Sequence, residues 1–192
     1  KGKRRVNAPP VMAGKNAKPP PLPFDVFERV LRVANFDGKL LVVIAGTFAL
    51  MAAISRNLPP TVVGVIASGW GIAEIHGANK LRNGDPRGLD WMIWAQLGIM
   101  LTVFFYAGWM ITHFNATDFL NAVPQLALEN LEKQFAEAGL STADMPRYFQ
   151  SMSTEVYSLV ALLTFIFQGL MARYYHRSRP AVETVIFGSG RR

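Results

Sequence analysis

Glu74 is the residue around which any chemistry in this chain has to be built. It lies in Val62–Ile75, a run of apolar and small residues with no other charge. Lys80 follows six residues later. At 1.5 Å per helical residue the carboxylate therefore sits roughly 9 Å in from that end of the run. Gln96 comes six residues after Asp90, and Gln168 five residues before Arg173, at similar depths in their own runs. On helices, Glu74, Gln96 and Gln168 are expected to form one polar layer. An ionisable group among apolar residues is expensive and faces a bundle interior or a cavity. Two roles fit the layer. One is a proton or cation site at Glu74, oriented by the two amides. The other is a hydrogen-bonded pin that fixes helix register. The layer contains no second acid, which weighs toward the pin.

The three histidines are His76, His113 and His176. A bis-histidine haem requires two imidazoles at one depth on facing helices. His76 and His176 fall near the same end of their runs, so they are the candidate haem or pigment ligands, with no further motif beside them. Glu74 and His76 are two apart and position 78 is Ala, which is not the spacing of a light-harvesting helix. With no cysteine, thiolate metal sites, iron–sulfur clusters, disulfides and a cysteine nucleophile are excluded. No His-Glu-x-x-His, phosphate-binding loop, dinucleotide glycine fingerprint or Gly-x-Ser-x-Gly occurs. Asn115-Ala-Thr117 fits a glycosylation sequon and Pro20-Pro-Leu-Pro23 a PxxP pattern, both frequent by chance. No metal or cofactor is expected; bound lipids are.

The elements that must position Glu74 are long apolar runs. Of the 192 residues, 51% are hydrophobic and 17% charged, where soluble domains carry roughly 25% charge. Leu40–Ile54 is uncharged, Trp91–Ile111 is 21 uncharged residues, and Val156–Ala172 is 17. A bilayer core takes about 20 apolar residues. As buried helices of a soluble protein, four such runs would leave too little polar sequence to cover them. Trp91, Trp94, Tyr106 and Trp109 flank the third run, and Tyr157, Tyr174 and Tyr175 the fourth, as an interfacial aromatic belt would. The sequence therefore predicts an all-α, polytopic integral membrane protein with four transmembrane helices, at approximately 38–55, 60–80, 90–112 and 155–174.

Residues 1–39 carry nine Lys and Arg; Lys80, Arg82 and Arg87 lie in the second loop, and Arg173, Arg177, Arg179, Arg191 and Arg192 follow the last span. These seventeen of twenty cations fall on one side of a four-span topology. By the positive-inside rule both termini face the cytoplasm, matrix or stroma, in a bacterial inner or an organellar inner membrane. The net charge of +7 is thereby assigned to topology and anionic lipid, and no nucleic-acid partner is expected.

Residues 1–23 read as a basic, Pro-rich tail in extended or polyproline form. Residues 24–36 read as an interfacial amphipathic helix, with Phe27, Val30, Leu31 and Ala34 on one face. Asp37-Gly38 is expected to break it, so that 37–192 forms the membrane domain. Pro60 is placed to start the second span and Asp90 to cap the third. The outer loop, 113–154, is expected to be helical. Leu128, Leu131 and Phe135 make an amphipathic face, Gly139 ends that helix, and Ser141–Asp144 starts another that can run into the fourth span. Small residues, Gly64 with Ser68 and Gly69 with Ala73 and Gly77, are expected to pack helices closely.

The missing catalytic motifs and the surplus of packing surface point to a non-catalytic accessory subunit of a larger membrane complex, of which an energy-converting one is an example. Its partners would be other subunits, met through the Pro-rich tail and outer loop. The alternative is a small ion, proton or solute transporter working through the Glu74 layer. No broken helices recur in matching halves, which lowers that alternative. A membrane enzyme comes third.

Overall fold

The structure, a computed structural model, describes residues 21–188. Residues 1–20 of the Pro-rich tail and Arg191 and Arg192 lie outside the described residues. The element order is α1 (Pro23–Ile54), α2 (Leu58–Arg82), α3 (Gly88–His113), α4 (Ala116–Ala122), α5 (Gln125–Glu137), a 3-10 turn (Thr142–Asp144) and α6 (Met145–Gly188). Four of these helices, α1, α2, α3 and α6, are long and apolar enough to cross a bilayer, which makes the chain a multi-pass membrane protein. Every backbone polar group within a bilayer must be satisfied inside its own segment, and helices achieve this.

α1 runs unbroken for 32 residues, through Asp37 and Gly38. The break expected there does not form, so residues 24–36 and the first apolar run are one continuous helix. The reason lies in the neighbours. A glycine inside a helix costs about 1 kcal/mol relative to alanine, but here it permits a backbone contact with α2. A Cβ added at Gly38 would lie 2.9 Å from the Gly71 carbonyl oxygen, and one added at Gly71 2.8 Å from that of Gly38. Further along the same interface Ser68 Oγ donates to the Val42 carbonyl at 3.4 Å, and Gly64 sits against Ala45 and Ala49. Gly77 meets Gly88 across the α2–α3 junction. Of the small residues singled out above, Gly64, Ser68 and Gly77 make interhelical contacts, Ala73 is half-buried, and Gly69 is exposed with open space around it.

Pro59 and Pro60 lie in the first turn of α2, where a missing N–H costs nothing. Asp90 does not cap α3. The cap position is Arg87, and Asp90 stands in the first turn, where it pairs with Arg179 of α6. In the short α2–α3 turn, the Arg87 N–H donates to Asp85 Oδ1 at 3.0 Å. That bond, with Lys80 nearby, holds the Asp85 carboxyl below its ordinary range.

α6 is the largest departure from expectation. It is 44 residues long, starts at Met145 and continues to Gly188 through Pro180. At 1.5 Å per residue it measures roughly 66 Å, about twice the hydrocarbon thickness of a bilayer. Arg173 is therefore mid-helix. The segment before it carries α4, α5 and the 3-10 turn: Leu128 and Leu131 are half-buried, Phe135 is buried, and Gly139 has a positive φ of 72°. An aromatic cluster holds this cap on the start of α6, with ring centroids 5.6 Å apart for Phe119–Phe149 and 5.3 Å for Phe135–Tyr148.

The apolar core lies at the opposite end of the bundle from the cap. It joins Val30, Leu31 and Ala34 of α1, Ala78 and Leu81 of α2, Leu89 and Met92 of α3, and Tyr175 and Val182 of α6. This end, called the core end below, gathers the start of α1, the α2–α3 turn and the late part of α6.

Candidate functional site

All four long helices meet in one polar cluster. Glu74 Oε1 accepts a hydrogen bond from the Tyr175 hydroxyl at 2.6 Å and another from Gln96 Nε2 at 2.8 Å. Gln96 Nε2 also donates to Asp37 Oδ2 at 3.1 Å. An amide nitrogen has two N–H bonds, so Gln96 spends one on each carboxylate. Glu74, Gln96 and Tyr175 are each 0% exposed, while Asp37 is half-buried. Ala34, Gly71, Ala78, Met92 and Ile99, one turn away on α1, α2 and α3, are buried and carry no side-chain charge.

The cluster leaves two oxygens over. Glu74 Oε2 and Gln96 Oε1 are buried without a hydrogen-bond partner. Buried polar atoms are nearly always paired, and an unpaired one costs about 1–3 kcal/mol. Among the described residues neither Asp37 nor Glu74 has a cation in ion-pair reach. The arrangement is thus two carboxylates, one bridging amide and one phenol, with spare acceptor capacity and no fixed positive charge.

Of the three residues of the expected layer, the structure brings Glu74 and Gln96 together and places Gln168 apart from them. Gln168 stands two turns from Tyr175 along α6, roughly 10 Å toward the cap, half-buried, its Oε1 without a partner. Its depth was measured from Arg173 as the helix end, and α6 does not end there. Tyr175, taken from sequence as a belt residue, supplies the α6 member instead. Seven residues separate it from Gln168, which puts both on one stripe; that spacing was the available signal. Asp37 was missed because beside Gly38 it reads as a turn, and no signal in one sequence distinguishes the two readings.

His76 is exposed and meets Trp91 edge-on at 5.3 Å, and His176 is exposed on α6. No contact joins the two imidazoles among the described residues. His113 stacks on Trp109 at 3.7 Å. No group of three or more His, Asp or Glu gathers as metal ligands among the described residues.

A second concavity lies toward the cap. Trp70 rests flat on the backbone at Gly98, and its Nε1 donates to Thr102 Oγ1 at 3.2 Å. The indole lies between α2 and α3 beside an apolar cleft of about 620 Å³ lined by Val62, Ile66, Leu101, Phe105 and Trp109. Compared with known proteins, the chain matches no family model, and no curated protein or solved structure matches it significantly.

Proposed function

We propose that this chain is a non-catalytic accessory subunit of a larger membrane complex, anchored by its four helices and docked through α6. One observation carries this reading. In its most apolar stretch α6 buries none of its residues within the chain, and Leu162, Leu163, Ile166 and Leu170 stand exposed there, a face that a helix of another subunit can cover. Gly169 and, on α2, Gly69 lie exposed with open space where a Cβ would project, and small residues at membrane depth permit close helix approach. The outer cap and the tail are the further contacts proposed, with anionic lipid around the basic end. Both termini would face the cytoplasm, matrix or stroma.

The test is gentle extraction from the native membrane, native electrophoresis and mass spectrometry of the co-migrating proteins. A band far above 21.3 kDa with a constant set of companions is expected. A monomer or small homo-oligomer would overturn the reading.

A second reading, a small ion, proton or solute carrier, is favoured by one feature: Glu74 shares the Gln96 amide with a second carboxylate, Asp37. Paired intramembrane acids line ion and proton pathways. Proteoliposome flux that disappears in a normally assembled Glu74→Gln variant would establish it; equal flux in the variant would exclude it.

A further inference from the structure

The two leftover oxygens in the polar cluster have a shared requirement. Glu74 Oε2 and Gln96 Oε1 are acceptors on side chains that are each 0% exposed. Asp37 approaches the same amide from α1. The Tyr175 hydroxyl and both Gln96 N–H bonds are already directed at carboxylate oxygens, so the cluster contains no donor that could turn to the spare acceptors. A water can give them hydrogen bonds, but only a cation can offset the charge of two carboxylates that have none in reach among the described residues. We propose that Asp37, Glu74, Gln96 and Tyr175 form a binding site for one monovalent cation, either a proton or an alkali-metal ion, held between α1, α2, α3 and α6.

The chemistry of the donor set supports a small cation. Oxygen atoms from two carboxylates, an amide and a phenol suit a hard cation. A proton meets the same need in another way: shared between the side chains of Glu74 and Asp37, which interact directly, it replaces the repulsion of two carboxylates with a hydrogen bond. Among the described residues no third His, Asp or Glu joins the two carboxylates to make a divalent-metal ligand group. The titratable groups facing Glu74 are Asp37 on α1 and Tyr175 on α6; α3 presents only the amide of Gln96. The site is independent of transport, since a static subunit can hold a cation as a fastener for its four helices. A cation bound without flux would therefore leave this inference standing while excluding the carrier reading.

The experiment is thermal unfolding of the purified full chain in mild detergent. Choline chloride is replaced stepwise by NaCl or KCl at constant ionic strength, in mildly acid and mildly alkaline buffer. Ligand held at about a hundred times its dissociation constant should raise the midpoint by roughly 5 °C or more. A rise with one alkali ion in alkaline buffer, lost in Glu74→Gln, identifies the alkali-metal ion. A rise on acidification alone, absent in Glu74→Gln, identifies the proton. Curves that are the same in all three salts and that Glu74→Gln does not alter at either pH overturn the proposal. So does a salt or pH effect that the variant retains in full. If Glu74→Gln does not fold, Asp37→Asn, on the half-buried edge of the cluster, serves as the second variant, and it must weaken the same response.

Discussion

Gln96 and Asp37 are 59 residues apart in sequence, and the amide nitrogen of the first donates to a carboxylate oxygen of the second at 3.1 Å. The same nitrogen reaches Glu74 at 2.8 Å. One side chain on α3 thus ties two acids on two other helices, and α6 joins through Tyr175. Removing Gln96 should therefore cost more than removing the Tyr175 hydroxyl. Gln96→Leu strips a donor from both carboxylates, and Tyr175→Phe from one that keeps another. We expect about 1–3 kcal/mol for the first and about 1 kcal/mol or less for the second. Denaturant or thermal unfolding in a fixed detergent measures the order; a costlier Tyr175→Phe would refute the bridging role.

The α1–α2 crossing provides a sharper contrast. Gly71→Ala forces a methyl group against the α1 backbone at Gly38 and should destabilise by about 1–3 kcal/mol. Gly69→Ala, two residues away, meets open space and should leave the unfolding midpoint unchanged or raise it, alanine being the better helix former. Equal effects at the two positions would mean that the crossing is placed differently.

Trp70 and Gly98 should behave as a coupled pair. Gly98→Ala displaces the indole and breaks its bond to Thr102, lowering stability and the near-ultraviolet circular dichroism of the folded protein. In a Trp70→Ala background the same substitution should be nearly neutral, because the atom it strikes is gone. A coupling energy of about 0.5–3 kcal/mol is the range for residues in contact; additivity of the two single effects would contradict the packing seen here.

The Asp90–Arg179 pair spans α3 and α6 near the core end, and both partners are part-exposed. Pairs of this kind contribute about 0–1 kcal/mol and are screened by salt. Asp90→Asn should lower the midpoint slightly at low ionic strength and not at high, and the charge-exchanged double variant should restore it. A salt-independent loss would assign Asp90 a packing role instead.

Phe135 anchors the cap to α6 through Tyr148 and Phe149. Phe135→Ala should free α5, so that limited proteolysis cuts between residues 123 and 141 much faster than in the wild type. The four long helices should survive intact. Unchanged cleavage would mean that the cap is held by other contacts.

How far the sequence was readable depends on which physical signal each element carries. The four spans were readable because a bilayer demands length and apolarity, and Trp91–Ile111 has both. Glu74 and Gln96 were readable because a polar group among apolar neighbours has to find another. Asp37 was not, since Asp-Gly reads as a turn unless the glycine has a backbone to meet, and Gly71 lies 33 residues farther along. The extent of α6 was hidden by Arg173, Arg177 and Pro180. A helix end in the membrane looks like a cation cluster, and so does a helix that simply leaves the membrane and continues. Placing Gln168 in the layer was a consequence of that single misjudged end, and Tyr175 was the residue it displaced.

The length of α6 has a mechanical meaning. The same rod carries Phe149, seated in the cap, and Arg179, fastened to α3, roughly 45 Å away along its axis. Tyr175 lies one turn from the second fastening. Between the two ends Tyr157 and Phe165 rest on Tyr106 and Phe104 of α3, so one strut ties the cap to the buried carboxylates as a single piece.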